Sequence, residues 1–298
     1  MIGRVYLDWN ATAPLRPEAR QAVVAALDVV GNPSSVHAEG RAAKAIVEKA
    51  RGQVGSLIGC KPSEVIFTSG ATEAASVLRF IPPKAAVCVD ETAHDCVWAH
   101  FDLTAAHQTD AAGHTLAMGV ANSETGVITQ TPPPVDGRWQ FGAIQCDWLF
   151  LDIVQAAGRI PFSFHWSGAH FAILSAHKLG GPKGVGALIV REGLDIEALQ
   201  LGGGQELGRR SGTENVAGIA GFGAACQAAE RDLDNGAWDE VEELRNILES
   251  ALAADAKETI FVGNDKPRLP NTSCFASPDW KGETHVMQMD LAGFAVSS

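Results

Sequence analysis

The chain has 298 residues, of which 46% are hydrophobic, and a formal net charge of −12. This size and apolar content are enough for one large domain, or two smaller ones, with a substantial core. The acidic charge argues against nonspecific binding to nucleic acid or to an anionic membrane. Because no apolar run reaches ~20 residues and no signal-peptide pattern opens the chain, we predict a cytoplasmic protein without membrane partners.

Helical and strand patterns alternate along the chain. In chain order they predict a helix over 16–30 and a longer one over 38–58, strands over 65–68, 85–89, 116–121, 148–154, 171–175 and 185–190, helices over 214–232 and 238–254, and a helix running into a strand over 286–298. Residues 131–139 form a Pro-rich turn. Short apolar strands separated by helices or loops predict an α/β fold with a largely parallel, buried sheet.

The six cysteines are scattered, without a C-x-x-C pair, which argues against a zinc site or a disulfide framework. We interpret them as small buried hydrophobes in a reducing compartment. They are Cys60, Cys88, Cys96, Cys146, Cys226 and Cys274.

The strand over 171–175 leads into the segment Ser175-Ala176-His177-Lys178, followed by a Gly/Pro turn. A lysine at the mouth of a buried strand is poorly solvated, which lowers its pKa and frees its amine to form a Schiff base. The alternative is an exposed turn lysine.

A second feature is Asp152, which lies inside an apolar run. A carboxylate there is costly to bury unless it meets a positive partner, such as the protonated ring nitrogen of pyridoxal phosphate (PLP). Gln155, three residues further on, is placed to bind the ring hydroxyl. The alternative is a strand-end Asp that caps a turn.

A third feature is the turn at Gly70, Ala71 and Thr72, between a strand and a helix start. Free N–H groups and the positive end of the helix dipole meet there, which suits a phosphate. The alternative is an ordinary capped helix. A phosphate cradle, a strand-end Asp and a strand-end Lys, in that order, together favour a PLP enzyme.

These features lie within a set of stretches by which the chain resembles the NifS/IscS-type cysteine desulfurases of the class-V aminotransferase family. The matching stretches span nearly the whole chain, in family order: YLDWNATAPL (6–15), GNPSSVHAEGRAA (31–43), VIFTSGATEA (65–74), ANSETGV (121–127), LDIVQAAGRIP (151–161), SAHKLGGPKGVGAL (175–188), GGGQELGRRSGTEN (202–215) and LPNTSCF (269–275).

The resemblance implies the PLP-dependent transferase fold of type I, with a mostly parallel, seven-stranded-type sheet flanked by helices. It further implies a large PLP-binding domain over 14–230. A smaller α/β domain would be formed by residues 1–13 and 231–298, with its C-terminal part missing.

The resemblance also implies roles for the cofactor-binding residues. Lys178 would bind PLP covalently, Asp152 would pair with its ring nitrogen, and Gln155 would contact the ring oxygen. The phosphate would be held by Gly70, Ala71, Thr72, Ser175 and His177.

Three further residues take roles from the resemblance. His94 would stack on the ring and move protons, and Asn122 would lie near the ring hydroxyl and the substrate carboxylate. Thr213 would reach the phosphate of the other subunit, which makes a homodimer with composite active sites. Asn10, Ala11 and Thr12 match a segment near the substrate entrance, and no metal is expected.

The implied activity is removal of sulfur from L-cysteine, giving L-alanine and a protein persulfide for iron–sulfur cluster or thio-cofactor assembly through an acceptor scaffold. Alternatives are a selenocysteine lyase or class-V aminotransferase, and an inactive scaffold of the same fold. A dinucleotide-binding fold and a P-loop are both disfavoured, because neither glycine spacing is present.

The sequence departs from the family at its end. The segment of G-S-A-C type, which carries the persulfide-forming cysteine, and the arginine for the substrate carboxylate would follow a stretch like AGFAVSS (292–298). Cys274 lies in a structural stretch and is not the nucleophile. We therefore expect residues 1–298 to bind PLP without sustaining turnover of cysteine, whether the sequence is short or a stop codon follows.

Overall fold

The computed structural model describes residues 3–81, 86–101, 113–256 and 258–298. In these ranges the helices are α1 (Pro17–Leu27), α2 (Ala38–Ile58), α3 (Ala71–Ala75), α4 (Asp95–Trp98), α5 (Phe164–Ser167), α6 (Val216–Asp234), α7 (Ala237–Asp255) and α8 (Gly282–Leu291). The strands are β1 (Val5–Tyr6), β2 (Val65–Thr68), β3 (Ala86–Val89), β4 (His114–Gly119), β5 (Trp139–Phe141), β6 (Ile144–Cys146), β7 (Trp148–Asp152), β8 (Phe171–Ser175), β9 (Gly186–Val190), β10 (Ile260–Phe261), β11 (Phe275–Ala276) and β12 (Phe294–Ala295).

A mixed, mostly parallel sheet forms the centre of the molecule, with the strand order β2-β9-β8-β7-β4-β3. The pairs β8/β7, β7/β4 and β4/β3 are parallel, whereas β9 runs antiparallel to β2 and β8. Strand β9 is reversed because only a short turn joins it to β8, and a parallel return needs a longer crossover. The predicted fold class is confirmed. Among the described residues the central sheet has six strands, where a seven-stranded type was predicted.

Helices cover the sheet on both faces, so its strands are buried on both sides. On one face α2 buries a stripe at helical spacing, made of Ala43, Val47, Ala50 and Val54, against the core. Helix α6 packs closely on it, since a Cβ added at Gly223 would lie 2.6 Å from the Cα of Ala50. A second cluster fills the opposite face, with Val77, Val97, Phe150, Phe171 and Ile196 among its members.

The predicted element bounds hold best where the periodicity is strongest. The helix over 38–58 and the strands over 65–68 and 171–175 are observed with those bounds. The strand predicted over 148–154 ends at Asp152 instead, because the N–H of Val154 turns back to donate to the Asp152 carboxylate at 2.9 Å. The β5/β6 hairpin, which follows the Pro-rich turn, was not among the predicted elements.

The first and last segments of the described chain lie together. Strand β1 pairs in parallel with β12, so that Val5 lies opposite Phe294 and Tyr6 opposite Ala295. This contact is compatible with a small domain formed by the two ends of the chain. The division into a large domain over 14–230 and a small one over 1–13 and 231–298 stays a prediction. Among the residues described, none of the helices combines the length and the apolar character required to span a bilayer.

A glycine pair tests how closely the backbone packs next to the sheet. A Cβ at Gly186 would lie 2.7 Å from the Leu174 carbonyl oxygen and 2.8 Å from the Cα of Gly70, whereas one at Gly52, inside α2, meets nothing within 4 Å. We expect Gly186→Ala to lower the free energy of unfolding by ~1–3 kcal/mol through overpacking. The control Gly52→Ala should raise it by about 0.5–1 kcal/mol. Urea unfolding checks both, and equal midpoints for the two variants would contradict the close approach.

Candidate active site

A cavity of about 590 Å³ lies at the carboxyl ends of β7 and β8, beside the start of α3. This is the edge of the sheet where parallel strands of α/β folds usually place ligands. Nine of the predicted site residues line it: Gly70, Ala71, Thr72, His94, Asp152, Gln155, Ser175, His177 and Lys178. They come from four separate parts of the chain, 70–72, 94, 152–155 and 175–178, which the fold brings together.

Lys178 is half-buried in the wall of this cavity, and its Nζ donates to the main-chain carbonyl of Asn10. Burial lowers the pKa of Lys178, and the Arg159 guanidinium lowers it further. Nearby carboxylates, with Asp152 first, oppose the shift without cancelling it. The amine is therefore easier to deprotonate than that of a solvated lysine.

Asp152 ends β7 and is 8% exposed. Burial raises the pKa of its carboxyl, while the N–H of Val154 and the charges of His94 and Lys178 oppose this. Within the described ranges the structure shows no salt bridge to Asp152. The carboxyl thus lies at the cavity wall with its desolvation only partly offset, and a cationic group in the cavity would stabilise its ionised form.

The start of α3 forms the end of the cavity that was predicted to hold phosphate. The first N–H groups of a helix have no carbonyl partner in their own helix, and the hydroxyls of Thr72 and Ser175 lie beside them. Ser69 donates its N–H to Glu73 at 2.6 Å, and Arg210 donates to the same carboxylate at 2.7 Å. Partial burial raises the pKa of Glu73, but these hydrogen bonds outweigh it and lower the pKa.

Two histidines at the cavity have defined partners. His177 Nδ1 lies 3.1 Å from the Thr12 hydroxyl, and burial, followed by the charges of Lys178 and Lys183, lowers its pKa to about 4. His177 is therefore neutral near pH 7. His94 caps α4, because its Nδ1 accepts the N–H of Cys96 at 3.1 Å. That bond leaves the proton of a neutral His94 on Nε2.

The Gln155 side chain lines the cavity but is bound within the chain. Its Nε2 donates to the Asn10 carbonyl at 3.0 Å, and its Oε1 accepts from Arg159 at 2.6 Å. The predicted contact with a ring oxygen therefore competes with these bonds and stays a prediction.

Asn122 and Thr213 are not brought to the cavity wall. The side-chain Oδ1 of Asn122 accepts from the N–H groups of Glu124 and Thr125 at 3.0 and 2.8 Å, and its Nδ2 donates to the main-chain oxygen of Thr92. Thr213 lines a smaller neighbouring cavity of about 140 Å³, whose wall shares Ser69 and Gly184 with the first one. The roles predicted for Asn122 and Thr213 therefore stay predictions.

Several residues that line the cavity were not among the predicted site residues. Thr92, Cys96, Ser123 and Lys183 also line the cavity, and Arg159 lies behind it with its guanidinium bound to Gln155. A charged residue in the otherwise uncharged run from Ile153 to Phe162, four positions after Gln155, was the signal for Arg159.

The two histidines with a strongly lowered pKa predict a stability that depends on pH. Burial lowers the pKa of both His170 and His177 from 6.5 to about 4. Between these values the unfolded chain binds more protons than the folded one, so the free energy of unfolding falls as the pH drops from about 6.5 to about 4. His177→Gln and His170→Gln should each make this fall shallower. Denaturation midpoints between pH 7 and 4 measure it, and slopes equal to that of the parent would contradict it.

The chain is similar in sequence to proteins of known activity. The sequence model described as Aminotransferase class-V matches residues 5–109 and 104–298. A cysteine desulfurase of Enterobacter agglomerans is 36% identical over 323 residues, covering 99% of this chain and 79% of the relative. The cysteine desulfurase IscS of Dictyoglomus turgidum is 33% identical and covers 100% of this chain and 82% of its own length.

Solved structures agree with these relatives. The X-ray structure of a NifS-like protein from Rickettsia africae superposes with a TM-score of 0.86 at 28% identity, covering 99% of this chain and 87% of that one. A second NifS-like protein gives a TM-score of 0.84 at 29% identity, with the same coverage. The chain belongs to the class-V aminotransferase family and, within it, to the cysteine desulfurase group, which depends on PLP.

Proposed function

We propose that the chain is a PLP-dependent cysteine desulfurase. The reaction takes L-cysteine and a protein thiol to L-alanine and a protein persulfide, so the sulfur leaves the substrate carbon and forms a bond to the thiol sulfur. The observation that carries the proposal is the placement of Lys178 and Asp152 at the ends of two adjacent parallel strands, facing one cavity.

The residues of the cavity fit the cofactor. PLP requires an amine for its aldehyde, an acid for its ring nitrogen and hydrogen-bond donors for its phosphate. Lys178 offers an amine of lowered pKa, and Asp152 offers a buried carboxylate without an ion-pair partner among the described residues. The hydroxyls of Thr72 and Ser175, with the first N–H groups of α3, offer the donors.

When bound, PLP withdraws the electrons released at the substrate Cα. The Lys178 Nζ takes up the α-proton, for which its lowered pKa is suited near neutral pH. Asp152 would hold a proton on the ring nitrogen of the bound cofactor, and that cationic partner would favour ionisation of the buried carboxyl. The Nδ1 of His94 is occupied by the N–H of Cys96, which leaves Nε2 as the atom through which this cavity-lining side chain would move a proton.

We further propose a homodimer in the cytoplasm, which delivers sulfur to an acceptor scaffold for iron–sulfur cluster or thio-cofactor assembly. Thr213 is exposed, in the loop that also contains Gly212, and lines the smaller cavity together with Ser69. In the proposed dimer it would contact the phosphate bound in the partner subunit.

The activity itself is tested with the purified chain, PLP and L-cysteine, with alanine and sulfide measured in the presence of a thiol reductant. With the thiol reductant as the sulfur acceptor, we expect turnover that is slow, because residues 1–298 do not include the predicted persulfide-forming cysteine. Lys178→Ala should lower it at least ~100-fold, because the group that moves the proton is lost. Lys61→Ala is the control, since Lys61 is exposed and pairs with Glu192 on the surface. Turnover of L-selenocysteine alone would point to a selenocysteine lyase, keto-acid formation from L-alanine to an aminotransferase, and PLP binding without turnover to a scaffold.

Asp152→Asn tests the role of the buried carboxyl. A neutral amide cannot hold a proton on the ring nitrogen by charge, so we expect kcat to fall by ~10- to 100-fold while PLP remains bound. The visible absorbance of the cofactor monitors its retention. An unchanged kcat would show that Asp152 serves only to end β7.

A further inference from the structure

Arg159 is a buried cation without a carboxylate partner. It is 3% exposed, and its guanidinium donates to four uncharged oxygens. Nη1 donates to Asn10 Oδ1 at 2.8 Å and to Gln155 Oε1 at 2.6 Å. Nη2 donates to the main-chain oxygens of Trp9 at 3.2 Å and Lys178 at 3.1 Å. No salt bridge to Arg159 is found in the part of the chain that the structure describes.

Two other arginines with largely buried side chains are paired with carboxylates. Arg51 pairs with Glu206 at 2.8 Å and Arg268 with Glu249 at 2.7 Å. Burial alone lowers the pKa of Arg159 to about 10, which reflects the cost of a desolvated, unpaired charge. A neutral side chain of similar size would avoid this cost, so an unpaired arginine here needs a reason other than stability.

The four acceptors of Arg159 show what it joins. Two of them, on Trp9 and Asn10, belong to the segment before α1, while the third is the main chain of Lys178 itself. The Asn10 carbonyl in turn accepts from the Nζ of Lys178, as well as from Gln155. Arg159 therefore holds the lysine backbone and the acceptor of the lysine amine in one hydrogen-bonded unit.

We propose that Arg159 is a positioning residue for Lys178, which fixes the lysine and the segment of Asn10 together and places a positive charge that favours the neutral amine. The proposal rests on the proposed function, in which Lys178 is the reactive amine. It adds to that function the group that keeps this amine ready to accept a proton.

The charges around Lys178 show why such a group is needed. Carboxylates face the lysine from three elements: Asp152 from β7, Asp8 from the N-terminal segment and Glu124 from the turn after β4. All three favour the charged amine. Arg159 opposes them, together with burial. Other titratable groups that line the same cavity include His94, Lys183, His177, which is neutral at pH 7, and the Cys96 thiol, whose pKa burial raises to about 12.

The test measures the pKa of the Lys178 amine directly, in the full chain without cofactor. Trace acetic anhydride labels neutral amines, and mass spectrometry quantifies the Lys178 peptide between pH 6 and 11. Arg159→Gln removes the charge, so we expect the apparent pKa of Lys178 to rise by about one unit and its labelling near pH 7 to fall about tenfold. Arg159→Lys keeps a charge and should restore most of the parent labelling profile, although its single ammonium cannot make the same fork of bonds.

Arg191→Gln is the matched control. Arg191 likewise binds uncharged oxygens, the main-chain oxygens of Ala169 and Phe164, but it follows β9 at the opposite edge of the sheet. Its loss should leave the Lys178 profile unchanged. In the PLP-loaded protein, the pH at which the cofactor absorbance changes should move with Arg159→Gln and not with Arg191→Gln.

The proposal is overturned if Arg159→Gln leaves the Lys178 profile unchanged, or if Arg159→Lys shifts it as far as Arg159→Gln does. It is also overturned, even where the variants fail to fold, if Lys178 in the parent chain labels like an exposed lysine of ordinary pKa 10.5. Labelling needs neither PLP nor cysteine. A chain that shows the Arg159 effect but no desulfuration would therefore refute the proposed function and keep the inference.

Discussion

The parallel pairing of β7 with β8 is the constraint on which the site depends. In this register Asp152 lies opposite Ile173, and both strands end at the same edge of the sheet. Lys178 follows β8 by three residues, so a buried acid and a poorly solvated amine meet across one cavity. A shift of either strand by one residue would exchange its two faces and turn Asp152 away from its present side of the sheet. The chemistry of the site is thus a consequence of strand register as much as of residue identity.

Burial and charge oppose each other throughout this site. Burial raises the pKa of Asp152 and lowers the pKa of Lys178, so each group is driven towards its neutral form. Their mutual attraction opposes both shifts, and the Arg159 guanidinium favours the neutral lysine. Such opposed pKa shifts in two groups of one cavity are typical of catalytic sites that need an acid and a base at the same pH. Desolvation of these groups is unfavourable for folding, and burial of the two hydrophobic clusters on the faces of the sheet offsets it.

The sequence predicted the parts of the site that short motifs carry. Asp152 ends the apolar strand β7, and Lys178 and Gly70 follow β8 and β2. These three strands run in one direction, so their carboxyl ends lie at the same edge of the sheet. Contacts made by side chains from distant segments were not predictable in this way. Asn122 is bound within its own turn, and Gln155 is bound to Asn10 and Arg159. The β5/β6 hairpin was missed because its three-residue strands are too short for a period of two to stand out.

By itself, the amino-acid sequence determined the α/β class, the strands that form the sheet, and the residues that belong at their carboxyl ends. It did so because periodicity and strand-end motifs are local properties of the chain. The tertiary structure alone decided the reversed direction of β9, the pairing of β1 with β12, and the burial of Arg159 against Lys178. Each of these depends on which distant segments pack together. The balance of desolvation and charge that sets a pKa exists only once the chain has folded around the group.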